Sequence, residues 1–196
     1  KDGIGKLWTG ERGRLKLQTE LSLRPSRLRF AKAQYEFDGV SGSGELVVGL
    51  AGRKSVDFRL DTELLDADRY MPPATSLGLV SLWPLLLPSS TSPDVRLTMQ
   101  SGKLVMNGVE ADDIAVDLAS GATGLDLRTV QIGSVEGARL DASGLVIDSG
   151  QGSDGSVGVT VSAEDPRGLL RLLGILPKEG EPTWAAGLGK TEMKGS

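Results

Sequence analysis

Carboxylates set close together are the residues of this chain best suited to chemistry, and they occur as Asp66/Asp68 and Asp112/Asp113. General acid–base work needs two carboxyls facing across a cleft, in environments that split their proton affinities. Asp66 and Asp68 end an alternating segment and Asp112/Asp113 fall at a predicted turn, so both pairs are expected in water. No base or nucleophile lies beside them. A third acidic stretch, 148–156 (DSGQGSDGS), resembles one unit of a calcium-binding nonapeptide repeat, in which Asp side chains and backbone carbonyls supply hard oxygen ligands. A single imperfect copy has no stacked neighbour to complete such a site, and a hairpin loop is expected there instead. The chain contains neither Cys nor His, which removes ordinary zinc sites, cysteine nucleophiles and any Ser-His-Asp triad. The expectation is therefore no enzyme, no cofactor and no metal.

Charge excludes a further class. The net charge is −4, with both signs interspersed, whereas a nucleic-acid partner calls for a basic stripe along one face. Lys and Arg instead occupy the polar side of alternating segments, as with Arg12, Arg14 and Lys16 or Arg27 and Arg29. A solvated face is the plain reading of that pattern.

What remains is aliphatic. Gly is abundant at 27 residues and aromatics are sparse at 4%, so the apolar content sits in short segments separated by turns. Residues 95–147 show the pattern best. Val95, Leu97 and Met99 share one parity, as do Ile114, Val116 and Leu118; Leu125 and Leu127 follow, then Leu140 and Ala142. Side chains of an extended chain alternate between faces, so each segment presents one apolar and one polar side. Ser101-Gly102, Asn107-Gly108, Ser120-Gly121, Gly133-Ser134 and Ser143-Gly144 punctuate the run at about the spacing of an antiparallel meander.

The same rhythm opens the chain. Leu15, Leu17, Leu21 and Leu23 face one way with Thr19 completing the row, and Arg24-Pro25 ends the strand. Leu28 and Phe30 then differ in parity from Tyr35 and Phe37, which predicts a bulge near Ala31–Ala33. Leu46, Val48 and Leu50 follow, then Val56, Phe58, Leu60, Thr62 and Leu64. Residues 72–94 break the pattern with a Pro-rich apolar segment, unsuited to an interior strand. It reads as a linker with a short helix packed over the sheet, or as a lid or interfacial segment touching lipid. An offset of 76 maps Leu21, Leu23, Leu28, Phe30 and Ala33 onto Leu97, Met99, Leu104, Met106 and Val109, so that 97 − 21 = 76 and 109 − 33 = 76. That correspondence leaves an internal duplication open.

Val157, Val159 and Val161 form the last clear strand before the period changes. Asp165-Pro166 has the form of an N-cap and first helical position, Leu169, Leu172, Leu173 and Leu176 recur at helical spacing, and Pro177 stops the run. A helix of about three turns is expected across the end of the sheet, weakened by Gly168 and Gly174. Trp184, Ala185, Ala186 and Leu188 are candidates to dock, and Met193–Ser196 reads as a strand cut short.

The predicted fold is mainly β: an antiparallel meander of ten or more strands, about one per alternating segment, in a curled, groove-like sheet with one short amphipathic helix near the C-terminus. One helix and one linker can scarcely cover so many strands, so a concave apolar trough is the expected site. Its candidate lining is Leu15, Leu17, Leu21, Leu23, Val56, Phe58, Leu60, Leu97, Met99, Ile114, Val116, Leu118, Leu125 and Leu127. Parity alone does not say which side is concave. Residues 1–71 form a first β-ladder, 72–94 the linker and 95–196 a second ladder with the terminal helix, together one elongated domain. Beginning at Lys1 in a charged, Gly-punctuated stretch, the chain reads as a piece of a longer protein.

Certain segments are similar to a known family. Val56–Asp61 and Leu65-Asp66-Ala67-Asp68-Arg69-Tyr70-Met71-Pro72, followed by the Pro-rich linker, resemble the Leu-Asp-x-Asp-x-Tyr-Leu-Pro segment of AsmA-like proteins. Asp94–Leu97, Gly102–Leu104, Gly108-Val109, Ile132–Gly144 and Leu169–Leu176 are similar to the C-terminal half of that family. The resemblance implies a periplasmic module of the bacterial envelope, anchored in the inner membrane through a segment outside this chain. Such a module binds or transfers phospholipid or another acyl-chain lipid and contributes to outer-membrane assembly. It fixes no catalytic residue. The alternative is a structural scaffold or docking module for envelope proteins.

Overall fold

The computed structural model describes residues 15–70, 93–148, 153–177, 180, 182 and 191–195. Each alternating run becomes a strand: β1 (Leu15–Arg24), β2 (Arg27–Phe37), β3 (Val40–Gly49), β4 (Ser55–Asp66), β5 (Asp94–Met106), β6 (Val109–Gly121), β7 (Gly124–Val135), β8 (Ala138–Asp148), β9 (Ser153–Ala163) and β10 (Thr191–Gly195). Among the described residues two short helices, α1 (Ala67–Tyr70) and α2 (Arg167–Leu173), accompany them. The strands form one 10-stranded sheet in chain order, with β1 and β10 at its edges. The two ladders are thus halves of a single sheet.

Turn chemistry sets the hairpins at one end, which we call the lower end. Asp38-Gly39, Asn107-Gly108 and Glu136-Gly137 each place both residues at positive φ (52° and 83°, 55° and 75°, 48° and 83°). That is the type I′ arrangement, whose twist matches the flanking strands.

One junction departs from the meander. β4 and β5 run parallel, from Ser55 against Asp94 to Asp66 against Val105. Parallel neighbours need a crossover rather than a hairpin; the chain leaves β4 through α1 at the lower end and returns at Asp94 at the upper end. The readings of 72–92 as a short helix or lid, and the docking of Trp184–Leu188, fall outside the described residues.

The parity switches have two origins. In β2 the cause is the predicted bulge: Lys32 takes φ 50° and the register slips against both neighbours. In β4 to β7 it is a kink line crossing the sheet, bracketed by the pairs Thr62–Ser101 and Leu64–Lys103, then Ser101–Ile114 and Lys103–Asp112, then Asp112–Ser134 and Ile114–Ile132. At this line β4, β5, β6 and β7 change parity side by side without a slip between them, whereas near Arg128 β7 slips against both β6 and β8, a separate bulge. Asp113 stands on this line at φ 56°, and a methyl on Gly102 or Gly133 would press on the Glu63 carbonyl or the Asp113 side chain. Thr62 and Ser101, both buried, turn their hydroxyls back to donate to the carbonyls of Leu64 (3.1 Å) and Lys103 (2.6 Å). Asp112/Asp113 therefore lie within β6, not at a turn.

The offset of 76 marks no repeated unit. Leu21–Phe30 spans the β1–β2 hairpin, whereas its counterpart Leu97–Met106 lies inside the single strand β5.

The apolar core gathers at the lower end around α2. Leu169 and Leu172 belong to one buried cluster with Ala67, Leu104, Met106, Val109, Ala111, Val135, Ala138 and Ala163. These residues run from the end of β4 to β9, roughly 24 Å across a flat sheet. α2 has 7 residues and is about 10 Å long, so it spans only part of that width; it packs chiefly against β6 and β8, and strand–strand packing carries the cluster further. The helix is shorter than expected because Gly174 is its C-cap, at φ 79°, and stabilises the stop instead of weakening an interior turn. Gly168 lets the helix approach the Glu136 side chain, where a methyl would collide. At the other end of the helix, the Asp165 carboxylate accepts the Arg167 backbone N–H at 3.0 Å.

Candidate functional site

Residues directly opposite in paired strands project to the same side of a sheet, so the register assigns every candidate to a face. One row runs Leu21, Phe30, Leu46, Phe58, Leu97, Leu118, Leu127, Gly144, Val157. The row above it runs Leu23, Leu28, Val48, Val56, Val95, Ser120, Leu125, Val146, Gly155. Below lie Leu60, Met99 and Val116, then Leu17, Tyr35, Gly42, Thr62, Ser101 and Ile114, and Leu15 against Phe37. The predicted lining residues all stand on this one apolar face.

Their cover differs along the sheet. Ile114, Leu118, Leu125 and Leu127 are buried, while Val56, Phe58, Leu60, Leu97, Met99 and Val116 are half-buried. Leu15, Leu17, Leu21 and Leu23 on β1 are exposed, Leu21 at 62% and Leu23 at 72%. The candidates thus divide into core around β6–β7 and open surface toward β1. Sequence reasoning left out the intervening residues of β2 and β3, chiefly Leu28, Phe30, Leu46 and Val48, because the Lys32 bulge hid their common face. The pairing Leu21–Phe30–Leu46 supplies that link.

Two glycines keep this face shallow at β3. Gly42 lies under the Tyr35 ring, which occupies the place of a side chain there, and Gly44 sits against the Arg59 carbonyl.

The opposite face is charged and internally paired. Lys16 meets Glu36 (2.8 Å), Arg29 meets Glu45 (2.7 Å), Lys32 meets Glu20 (2.8 Å) and Lys103 meets Glu110 (2.7 Å). The Arg29 hydrogen bond, reinforced by its charge, holds the Glu45 carboxyl below its usual range. A folded value below the unfolded one means stabilisation present above the unfolded value and lost as pH falls through the folded one. The stability difference between the parent and Glu45→Gln, read from urea midpoints, should therefore be small but positive near neutrality. It should vanish on acidification from about pH 4.3 downward. A difference that stays constant through that range removes the ion pair as its cause.

Asp68 proves to be structural rather than solvated. Its carboxylate accepts the backbone N–H groups of Asn107 and Gly108, each at 2.6 Å. Asn107, buried, donates from its side-chain amide to the Arg171 carbonyl at 2.7 Å. Arg69 reaches Asp38 at 2.8 Å. The lower end of the sheet is thereby fastened: α1 to the β5–β6 and β2–β3 turns, and the β5–β6 turn to α2. Asp66 accepts the Arg69 backbone N–H at 3.0 Å. Neither carboxylate pair is arranged across a cleft. The loop residues 149–152 of the nonapeptide-like stretch are outside the described residues.

What the arrangement offers is an apolar surface with a fixed floor, anchored at one end and open toward an edge strand. No family model, curated protein or solved structure matches the chain.

Proposed function

We propose that this chain is a lipid-handling module, holding acyl chains against the apolar face of β1–β4 while head groups stay in water. The observation that carries this reading is the uncovered end of that face. A continuous row of Leu, Phe and Val leads from the buried β6–β7 core to β1, where Leu21 and Leu23 stand open. Apolar patches of this extent, bordered by charge, mark binding surfaces, and an acyl chain gains about 0.8 kcal/mol for each CH₂ it buries. The likeness of Leu65–Pro72 and Ile132–Gly144 to AsmA-like proteins favours the same occupant and supports a module in the periplasm, tethered to the inner membrane from outside this chain. Binding rather than catalysis is the role, within phospholipid transport and outer-membrane assembly.

Lipid extracted from natively purified protein and analysed by mass spectrometry tests the proposal, together with Leu21→Glu/Leu23→Glu. Both positions are exposed, so the substitutions should leave the urea midpoint nearly unchanged. Retained phospholipid should fall severalfold in the variant. No phospholipid on the parent, or equal amounts on both, sinks the reading. Capture of an envelope protein through β1 with no lipid present would favour the scaffold alternative, since an edge strand also accepts a partner strand.

A further inference from the structure

We infer a second ligand site on the charged face, at the upper end of the sheet, shaped for a small anion carrying an apolar tail. This site is separate from the acyl-chain surface and does not depend on it. It is a basin of about 1030 Å³, within the size range of small-molecule sites. Its lining reaches from Arg27 in β2 to Leu145 and Ile147 in β8.

The basin follows from residue size. The two uppermost rows of the charged face pass through Gly49, Ser55, Ala119, Gly121 and Gly124, whose short side chains leave a low floor between the longer Val47, Asp57, Asp94, Arg96 and Asp126 of the same rows. Larger residues stand at both ends of these rows. On the β8 side Leu145 and Ile147 are 48% and 49% exposed, the large hydrophobics of an otherwise charged face. On the β2–β5 side stand Arg27 and Arg96.

Charge then selects the ligand. The basin's carboxylates are already engaged: Asp94 by Arg53 at 2.6 Å, Asp126 by Arg128 at 3.1 Å and Asp57 by Arg59 at 3.9 Å. Arg27 and Arg96 form no ion pair among the described residues. Two guanidinium groups outside any ion pair, with Arg27 acting on Glu45 only at longer range, favour a phosphate or similar oxyanion, which they can meet with charge-assisted hydrogen bonds. The facing Leu and Ile suit an attached hydrocarbon. The shared chemistry is therefore an alkyl phosphate, whether free or the end of a lipid.

Monomeric decyl phosphate, inorganic phosphate and decyl maltoside, titrated against labelled protein by NMR, test this. Decyl phosphate should bind saturably and shift the amides of Gly49, Gly121 and Gly124. Arg27→Gln/Arg96→Gln should weaken it by about tenfold or more, and Leu145→Ser/Ile147→Ser by a comparable factor. Leu21→Glu, on the other face, should leave it unchanged. Decyl phosphate failing to saturate, or binding the arginine variant as tightly as the parent, overturns the site. Inorganic phosphate binding as tightly as decyl phosphate overturns the apolar half of the assignment, and decyl maltoside doing so overturns the anionic half.

Discussion

Leu172→Ala is expected to destabilise the protein by about 3 kcal/mol, a large fraction of the roughly 5–15 kcal/mol that holds a domain of this kind folded. Leu172 is 0% exposed and lies in the cluster where α2 meets the strand ends. Truncation opens a gap where α2 packs on β6 and β8, and a close-packed interior has little freedom to collapse onto it. Leu21→Ala is the control. It removes the same atoms from a leucine of β1, on the sheet's apolar face, yet at 62% exposure the loss should stay within about 0.5 kcal/mol. Urea denaturation of the two variants, with unchanged slopes, reads the contrast directly. Equal losses would mean that the face is packed evenly along its length. That result would remove the open surface toward β1 and the lipid proposal with it.

The alternation of the sequence carried most of this architecture, since a period of two assigns faces within each strand. It predicted the sheet, the Lys32 bulge and the terminal helix from residues whose chemistry is local. Two features depend on pairing and escaped it. The parallel β4–β5 junction is set by where the chain re-enters after the linker, and Val56, Phe58 and Leu60 would alternate identically in either direction. The kink line needs Gly102, Asp113 and Gly133 side by side, although they come from different strands. Each alone looks like an ordinary turn residue, which is why Asp112/Asp113 was expected at a turn. The candidate lining was legible as a set because all its members share the apolar face. Its division into core and open surface was not, because Leu118, Leu125 and Leu127 are buried by packing with Val146 and Val157 of neighbouring strands, and alternation within one strand does not show such neighbours.

Asp68→Ala is expected to cost about 3 kcal/mol, since two charge-assisted hydrogen bonds are lost and backbone donors are left without their acceptor. Asp68 stands in α1, far in sequence from Asn107 and Gly108, whose N–H groups it accepts at 2.6 Å. No local pattern could show this contact. The type I′ turn directs those N–H groups away from the strand ladder, and an outside acceptor must satisfy whichever of them is shielded from water. Asn107, buried and bonded to the Arg171 carbonyl, passes the restraint on to α2. Losing Asp68 should therefore loosen the helix as well as the turn. Asp68→Asn keeps one acceptor oxygen but turns its NH2 toward the other backbone N–H, donor against donor, so it should recover only part of the loss. Hydrogen exchange gives a reading that a general loss of stability would not. The Asn107 and Gly108 amides should exchange faster in Asp68→Ala than the global change predicts, with those of Ile175 and Leu176, which bond to the Leu170 carbonyl, following. A loss within about 0.5 kcal/mol, as for an ordinary surface carboxylate, would return Asp68 to the solvent and leave α2 held by its leucines alone.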